Sequence, residues 1–516
     1  MSRRQILFTL AGITTVGFLL RLFFIFHRGP FWFDEAWSVH FSSLPWTEAL
    51  RYWIIETNPF LHTLIMRGII FAFGANELPV RIFSLLVGTA CIPLTYYLAR
   101  ILSYEHRVAL TTATLVAIAQ NQIFISSEAR GYALLSFLTI TSFILLFGII
   151  TEKFCSKYWL ILYGITVTLL LFSHLTALIL GLIHILILAH AYHEKRITLV
   201  TTKRISLIYL IALLLFLTWF MPSIYEKANA TIFNAWYFSS ANASAGNLIQ
   251  SITNLFLTLS LNPICGLIFG VLTITAFAFF IVKTFREKNI LTFQLGIIIW
   301  ALLPPTIAAC FGQNDPKFFG YALPAIALIL AALSNSITDK KIRTAYCVIL
   351  LIVPLIESTL FISGKIFEPN SIVQFLQKQA TENTAILITP FNEILTWQRY
   401  YHGHAPLIPA YPYYDSMSLD ERIARFNWQR LPITNDALKK WYFEEANVGQ
   451  YEKILYITPY ETPEVAVTTL LEMGWRYSTR NIDPMTENHY IKYFVYELFP
   501  PIATTTATTN EQSSNR

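Results

Sequence analysis

The amino-acid sequence predicts a polytopic α-helical membrane protein with about eleven transmembrane helices, outer surface helices and a small C-terminal α/β domain. Of its 516 residues, 55% are hydrophobic and only 13% are charged, whereas soluble domains are closer to one quarter charged. The apolar residues come in runs of roughly twenty, the length that crosses a hydrocarbon core. An ordinary soluble protein is therefore excluded.

Basic residues collect in alternate loops between the apolar runs, as at Arg3 and Arg4 and again at Lys340 and Lys341. Because such loops stay in the cytoplasm, we expect a cytoplasmic N-terminus and an extracytoplasmic C-terminal region in the inner membrane of the cell. The net charge of +6 then reflects topology, and no nucleic-acid partner is expected. The predicted spans are residues 5–27, 81–101, 107–126, 132–150, 158–173, 175–192, 205–222, 264–282, 290–311, 320–337 and 344–362.

Residues 59–74 are apolar, but counting them as a span would invert every later loop against the basic-residue rule. We therefore place them as an interfacial or re-entrant helix within one outer loop, residues 28–80, and expect residues 1–362 to form the membrane domain. Strand–helix–strand patterning then predicts an extracytoplasmic α/β domain over residues 363–502. The polar tail, residues 503–516, is predicted to be disordered.

The five cysteines lie within or beside the apolar runs, and none forms a CxxC motif. The sequence therefore indicates neither a disulfide framework nor a zinc site. No cofactor is predicted, and the sequence leaves open whether a divalent metal is required.

In this topology, acidic, basic and histidine side chains collect at the outer membrane surface. Asp34 and Glu35 come first, in FWFDEAWS (31–38). A carboxylate held among aromatic neighbours is partly desolvated and more basic, which suits it to take a proton from an attacking hydroxyl. The alternative is a solvated acidic pair where the first helix leaves the membrane.

Four further candidates share this face. Glu128 and Arg130 in SSEARGYALL (126–135) either reach the site or form an exposed polar corner. His174 in SHLTAL is either a site residue or a locally bonded histidine. Lys317 lies outside, where basic residues are scarce, and is either a phosphate-binding cation or a lipid-headgroup anchor.

Three other arginines need an explanation. Arg21 lies two turns inside the first span, where a charge is costly, so we expect it to pair or to reach outward. Arg67 and Arg81 lie on the outer side and are further candidates for binding a phosphate.

At these residues the chain resembles the GT-C glycosyltransferases that use polyprenyl-phosphate sugars, especially the branch of protein O-mannosyltransferases and lipid A aminoarabinose transferases. The Asp34–Glu35 pair resembles the acidic motif of that class. ETNPFLHTLIMRGIIFAFGANELPVRIFSLLVG (56–88) is similar to its His/Asn-Pro-Pro-Leu segment, SSEARGYALL to its Gln-Glu-Ala-Arg-x-Tyr-Ala-Leu stretch, and SHLTAL to its Thr-His-Tyr segment. The chain departs at Phe60, where the class has a second proline, and at Lys317–Phe318, where it often has Arg-Tyr.

The resemblance implies transfer of a sugar, a hexose or a pentose, from a polyprenyl-phosphate carrier to a hydroxyl of a glycan, lipid or protein at the outer face, with inversion. Asp34 would be the general base, and Glu35 and Glu128 would shape the acceptor and sugar sites. Arg130, Lys317 and His174 would bind the donor phosphate.

The alternative function is a transporter or flippase for a lipid-linked or anionic solute. Such a protein would place ionisable residues near the middle of the membrane. Apart from Arg21, the candidates here lie at the outer surface, which favours the transferase.

Overall fold

A computed structural model describes residues 1–56, 58–229, 263–286, 292–310, 315–363, 369–389, 394–410, 435–458, 465–478 and 494–501. The chain divides into two compact units, Met1–Ile366 and Phe367–Arg516. The described part of the first unit is helical, and the second contains a five-stranded sheet. The tail predicted over residues 503–516 lies outside the described residues.

Fifteen α-helices make up most of the described part of the first unit. They are α1 (Arg3–Arg28), α2 (Phe33–Ser43), α3 (Trp46–Ile55), α4 (Leu61–Phe73), α5 (Glu77–Ile101), α6 (His106–Ile118), α7 (Gln120–Ser126), α8 (Tyr132–Ile150), α9 (Lys157–Leu171), α10 (Ala177–His193), α11 (Leu199–Asn229), α12 (Pro263–Arg286), α13 (Thr292–Cys310), α14 (Leu323–Leu333) and α15 (Lys340–Ser363). Short 3₁₀ turns at Pro316–Phe318 and Gly320–Ala322 precede α14, and another at Ser334–Ser336 follows it.

Seven described helices are long and apolar enough to cross a membrane, or eight if α6 and α7 form one bent span. The prediction of an integral membrane protein with a helical membrane domain and a small C-terminal α/β part is therefore confirmed. Helices α4, α9 and α10 are apolar but shorter. The count of eleven spans, the surface position of α4 and the orientation stay predictions.

The predicted span over residues 107–126 is divided, because α6 and α7 meet at an angle of 58°. In a continuous helix, the last carbonyls of α6 would accept hydrogen bonds from amides one turn later. Here the Arg21 guanidinium donates to the carbonyls of Val116 at 3.0 Å and Ala117 at 2.9 Å. Arg21 is fully buried, so it pairs with the backbone at this break and does not reach outward.

Helix α8 lies at the centre of the first unit, with nearly every side chain buried. It packs against α5 and α9, while α5 approaches α7 closely at Gly88. A Cβ atom at Gly88 would lie 2.0 Å from the Ser126 hydroxyl oxygen, so only glycine allows this approach. The interior of the first unit therefore packs around α8. The chain segment that leads into α8 carries two of the candidate residues, Glu128 and Arg130.

The second unit contains a mixed sheet in the order β2–β1–β3–β5–β4, formed by β1 (Thr384–Ile388), β2 (Leu407–Pro409), β3 (Lys453–Thr458), β4 (Arg476–Ser478) and β5 (Phe494–Phe499). Strands β2, β1 and β3 are parallel, and β5 pairs antiparallel with β3 and β4. The described helices are α16 (Pro369–Gln379), α17 (Ile394–Tyr400), α18 (Asn435–Lys440), which continues as a π-helical turn at Trp441–Glu445, and α19 (Val465–Glu472). Buried strand residues such as Leu387 and Tyr456 form its core with Leu470.

Candidate active site

The acidic pair is positioned by a sharp turn between α1 and α2. Gly29 ends α1 with φ 74°, a left-handed conformation that favours glycine. Trp32 is extended, and its carbonyl accepts the amides of Glu35 and Ala36 at 3.0 Å each, which starts α2. Asp34 and Glu35 thus lie in the first turn, where the helix dipole stabilises negative charge.

Glu35 is fully buried and bound from three directions. Arg81 Nε donates to Glu35 Oε1 at 2.8 Å, and Arg81 Nη2 donates to Glu35 Oε2 at 2.7 Å. The Ala129 amide also donates to Oε1, at 2.9 Å, and Arg28 Nε lies 3.9 Å from Oε2. Burial alone would raise the pKa of Glu35, but Arg81 and Arg28 hold it below its ordinary value.

Arg81 also fixes the turn itself. Its Nη1 donates to the carbonyl of Gly29 at 2.7 Å, and its Nη2 donates to the carbonyl of Pro30 at 3.1 Å. Arg67 has a similar backbone role, since it donates to the Ser42 carbonyl at 3.1 Å and lies 4.1 Å from the Trp46 ring centroid. Both arginines considered as phosphate ligands are therefore engaged in holding the outer loop.

Asp34 differs from Glu35 because its carboxylate faces the loop before α14. Lys317 Nζ lies 3.4 Å from Asp34 Oδ2, and the Asp34 side chain is 19% exposed. The same ammonium lies 3.4 Å from Asp315 Oδ2 and 4.7 Å from the Trp32 ring centroid. Burial alone would lower the pKa of Lys317, but the surrounding acidic groups, Asp34 first, raise it above its ordinary value. Lys317 therefore stays charged.

The backbone around Lys317 is anchored on both sides. Asp315 caps the 3₁₀ turn by accepting the Lys317 amide at 3.0 Å. Three residues after Lys317, Gln122 Nε2 donates to the Gly320 carbonyl at 3.0 Å. A Cβ atom at Gly320 would lie 2.2 Å from Asn121 Oδ1. The Gln122 side chain on α7 thus helps to hold the loop that presents Lys317 to Asp34.

Arg130 approaches Asp34 from the opposite element. Its Nη1 donates to the Ser38 hydroxyl at 3.0 Å and to the Asp34 main-chain carbonyl at 3.4 Å. Burial alone would lower the pKa of Arg130, but Asp34 and the other nearby acidic groups raise it above its ordinary value. The first turn of α2 therefore lies between two permanent cations.

Glu128 is a buried acid that lacks a close hydrogen-bond partner among the described residues. Neither carboxylate oxygen accepts a hydrogen bond from any described residue, although Arg28 Nη2 lies 3.7 Å from Oε1. Burial raises the pKa of Glu128 to about 7, despite the opposing effects of Arg28 and Lys317. A buried carboxyl that lacks a hydrogen-bond partner and has a pKa near neutral is typical of a functional site.

His174 lies after α9, beside a small polar cavity of about 30 Å³. The Thr176 amide donates to His174 Nδ1 at 3.2 Å, so the neutral ring carries its proton on Nε2. Burial lowers the pKa of His174 to about 3. Its Nε2–H finds no acceptor among the described residues, and Arg130, His62 and Tyr132 line the same cavity. His174 is a neutral donor at this position.

The six predicted candidates come together from four separate stretches of chain. Asp34 and Glu35 lie on α2, Glu128 and Arg130 between α7 and α8, His174 after α9, and Lys317 before α14. Among the residues that the structure describes, no three His, Cys, Asp or Glu side chains are grouped so that they could hold a metal ion.

Comparison with known proteins gives a family match in sequence and a fold match in structure. Residues 57–225 match the family model described as dolichyl-phosphate-mannose-protein mannosyltransferase. This stretch includes Glu128, Arg130 and His174 but neither Asp34 nor Lys317. No curated protein sequence matches the chain.

The solved structures show the fold. ArnT from Cupriavidus metallidurans bound to undecaprenyl phosphate is similar with a TM-score of 0.57 at 11% identity, covering 96% of this chain and 98% of that chain. The predicted resemblance to the GT-C class is confirmed. The apo oligosaccharyltransferase of Archaeoglobus fulgidus, also a GT-C protein, is similar with a TM-score of 0.54 at 12% identity, over 88% of this chain and 70% of that chain.

Three further side chains of the candidate site were not predicted from the sequence: Arg28, His62 and Tyr132. Arg28 ends the first span next to the acidic motif, and its charge there was a usable signal. His62 and Tyr132 occur in motifs already noted, but only tertiary packing shows that both face the His174 cavity.

Proposed function

We propose that the protein is a membrane glycosyltransferase that moves a sugar from a polyprenyl phosphate to a hydroxyl acceptor at the membrane surface. One observation carries this proposal: the partly exposed carboxylate of Asp34 contacts Lys317, while Arg130 binds the main-chain carbonyl of the same residue. Cations stabilise the charge on a departing phosphate, and a base takes the proton from an attacking hydroxyl. The family match over residues 57–225 supports the same reaction class.

Asp34 is proposed as the general base. The acceptor oxygen attacks the anomeric carbon, its proton passes to an Asp34 carboxylate oxygen, and the bond from that carbon to the phosphate oxygen breaks. The electron pair leaves with the polyprenyl phosphate, and the configuration is inverted. Asp34 suits this role because both Glu35 oxygens are engaged by Arg81, so of the two neighbouring acids only Asp34 can reach an acceptor.

Lys317 and Arg130 are proposed to stabilise the phosphate as its charge increases. Both carry a permanent charge, and Lys317 is held on a loop that α7 anchors through Gln122. Fixed cations in a site sheltered from water stabilise developing charge without reorganising at the moment of reaction. The Lys317 side chain is only 11% exposed and lies against Asp34. An ordinary headgroup anchor would not need to be buried in this way.

Glu128 and His174 are proposed to contact the sugar–phosphate end of the donor. Glu128 offers two buried oxygens that sugar hydroxyls can bind. His174 offers one neutral N–H donor at the cavity shared with Arg130. The cavity has room for about one or two water molecules, so donor binding is expected to displace water and to enlarge this space. Glu35 is proposed as a positioning residue that holds α2.

The experiment is a transfer assay with the full-length protein purified into liposomes. Polyprenyl phosphates that carry different labelled sugars are supplied with an envelope fraction as the acceptor. The proposal predicts that label appears on the acceptor while free polyprenyl phosphate accumulates in equal amount. Movement of the intact labelled lipid between leaflets, without cleavage, would instead support the flippase alternative.

A further inference from the structure

A long groove on the first unit lies between α9 and α11, and it has a cationic end. Its volume is about 660 Å³, and its walls include Ile161, Ile165 and Leu207. Lys157 and Arg204 lie at one end, both exposed. Among the described residues, no ion pair joins either of them to a carboxylate. Lys157 Nζ lies 5.6 Å from the ring centroid of the neighbouring Tyr158.

Helix α11 approaches α9 closely at the floor of the groove, where α9 carries Gly164. Gly164 has no side chain, and a Cβ atom there would lie 3.3 Å from Ile208 Cγ2. The Thr168 hydroxyl donates to the Gly164 carbonyl at 2.9 Å, so its polar group is satisfied within the helix. The wall is therefore apolar along its length, while the two cations are confined to one end.

The dimensions match one leaflet of a bilayer. The groove follows α9 from Lys157 to Leu169, a rise of twelve residue steps or roughly 18 Å at ~1.5 Å each. Half of a ~30 Å hydrocarbon core is roughly 15 Å. A lipid whose headgroup contacts Lys157 and Arg204 would therefore extend its chains along the groove toward the membrane centre.

We propose that this groove is a binding site for an anionic phospholipid, whose phosphate contacts Lys157 and Arg204. Basic pockets between transmembrane helices are suited to anionic headgroups. In the predicted topology these cations lie on the cytoplasmic side, at the opposite end of α9 from His174. The ligand is therefore not the sugar donor, and the proposal does not depend on the proposed transferase activity.

Native mass spectrometry of the full-length protein in detergent tests the site. Phosphatidylglycerol and phosphatidylcholine with identical acyl chains are titrated separately, and bound lipid is counted. The wild type should prefer phosphatidylglycerol. The double variant Lys157→Gln/Arg204→Gln should weaken that binding roughly tenfold to thirtyfold and abolish the preference.

Two further variants separate the groove from general charge. Arg3→Gln/Lys341→Gln makes the same change of charge at exposed sites outside the groove, and it should leave the preference intact. Ile165→Trp fills the groove from a half-exposed position and should reduce phosphatidylglycerol binding while both cations remain. An equal loss in the Arg3→Gln/Lys341→Gln protein, no preference in the wild type, or displacement by inorganic phosphate alone would overturn the proposal.

Discussion

Lys317 Nζ lies 3.4 Å from Asp34 Oδ2, a contact between residues 283 positions apart in the sequence. In an inverting displacement, the base and the leaving group lie on opposite faces of the sugar. The proposed mechanism therefore requires donor binding to separate Lys317 from Asp34, with the donor phosphate replacing the carboxylate as the partner of the ammonium. Asp315, also 3.4 Å away, would remain beside it.

We expect Lys317→Ala to weaken donor binding and also to lower turnover at saturating donor by roughly 10²- to 10³-fold. The reason is that a phosphate contact strengthens as charge develops in the transition state. Lys317→Arg should retain much of the activity, because the charge stays. Donor affinity and single-turnover rate are measured separately for both variants.

Asp315→Asn is the matched control for Lys317, since it removes the other carboxylate near the ammonium from a half-exposed position. It should change turnover by no more than a few-fold. Normal kinetics in the Lys317→Ala protein would leave Lys317 as a headgroup anchor and would remove it from the proposed mechanism.

Sequence patterns were sufficient to predict the helical membrane fold and to predict that the loops with charged residues come together. Apolar runs indicate the segments that lie in the membrane, and the distribution of Lys and Arg indicates the loops that lie in the cytoplasm. They placed Asp34, Glu128 and Lys317 on one face, and the structure brings these residues together around α2.

Hydrogen-bond partners could not be predicted in the same way. Nothing in residues 107–126 is a glycine or a proline, so the break between α6 and α7 has no local signal. The break is stabilised by Arg21 from another helix. Likewise, the positive charge of Arg81 made it a candidate phosphate ligand in the sequence. Its pairing with Glu35 follows only from the packing of α5 against the turn between α1 and α2.

We expect Arg81→Met to lower the free energy of unfolding by about 3–5 kcal/mol, the usual effect of removing one partner of a buried ion pair. The change would leave Glu35 buried with only the more distant Arg28 as a cation. Thermal unfolding in detergent measures the loss. Arg67→Met is the matched control, because Arg67 bonds backbone carbonyls, and an equal loss there would contradict a special role for the Arg81–Glu35 pair.

Glu128 should make stability depend on pH. Its pKa rises from 4.5 to about 7 in the folded protein, so between these values the folded state holds a proton that the unfolded chain has lost. The contribution of Glu128 to stability should therefore decrease as pH rises through this window, by about 3 kcal/mol in total. The lowered pKa of His174 acts in the opposite direction over part of this window, so the Glu128 contribution is measured as the difference between the wild type and a Glu128→Gln protein in how far the thermal midpoint changes from pH 5 to pH 8.

Relative to the wild type, Glu128→Gln should shift the pH dependence toward greater stability at pH 8 than at pH 5, because the amide stays neutral throughout. Glu105→Gln, at an exposed carboxyl, should leave it unchanged. If the Glu128→Gln protein shows the same difference between pH 5 and pH 8 as the wild type, another group is responsible.

His174 should act as a hydrogen-bond donor without titrating. Its pKa of about 3 keeps it neutral, so its titration should not appear in the activity profile between pH 5 and pH 8. His174→Gln can keep a donor near the Nε2 position, whereas His174→Asn can keep only the acceptor that binds the Thr176 amide. We expect the glutamine variant to be roughly tenfold more active, on the scale of one hydrogen bond to a charged group. Equal activity of the two would contradict the donor role.

Asp34→Asn shows whether Asp34 takes the proton of the acceptor when donor binding and single-turnover transfer are measured on the same purified protein. We predict transfer slower by roughly 10²- to 10⁴-fold, with donor binding equal to the wild type or tighter, because Lys317 no longer has Asp34 as a charged partner. Transfer at the wild-type rate, or loss of donor binding and transfer together, would contradict the account.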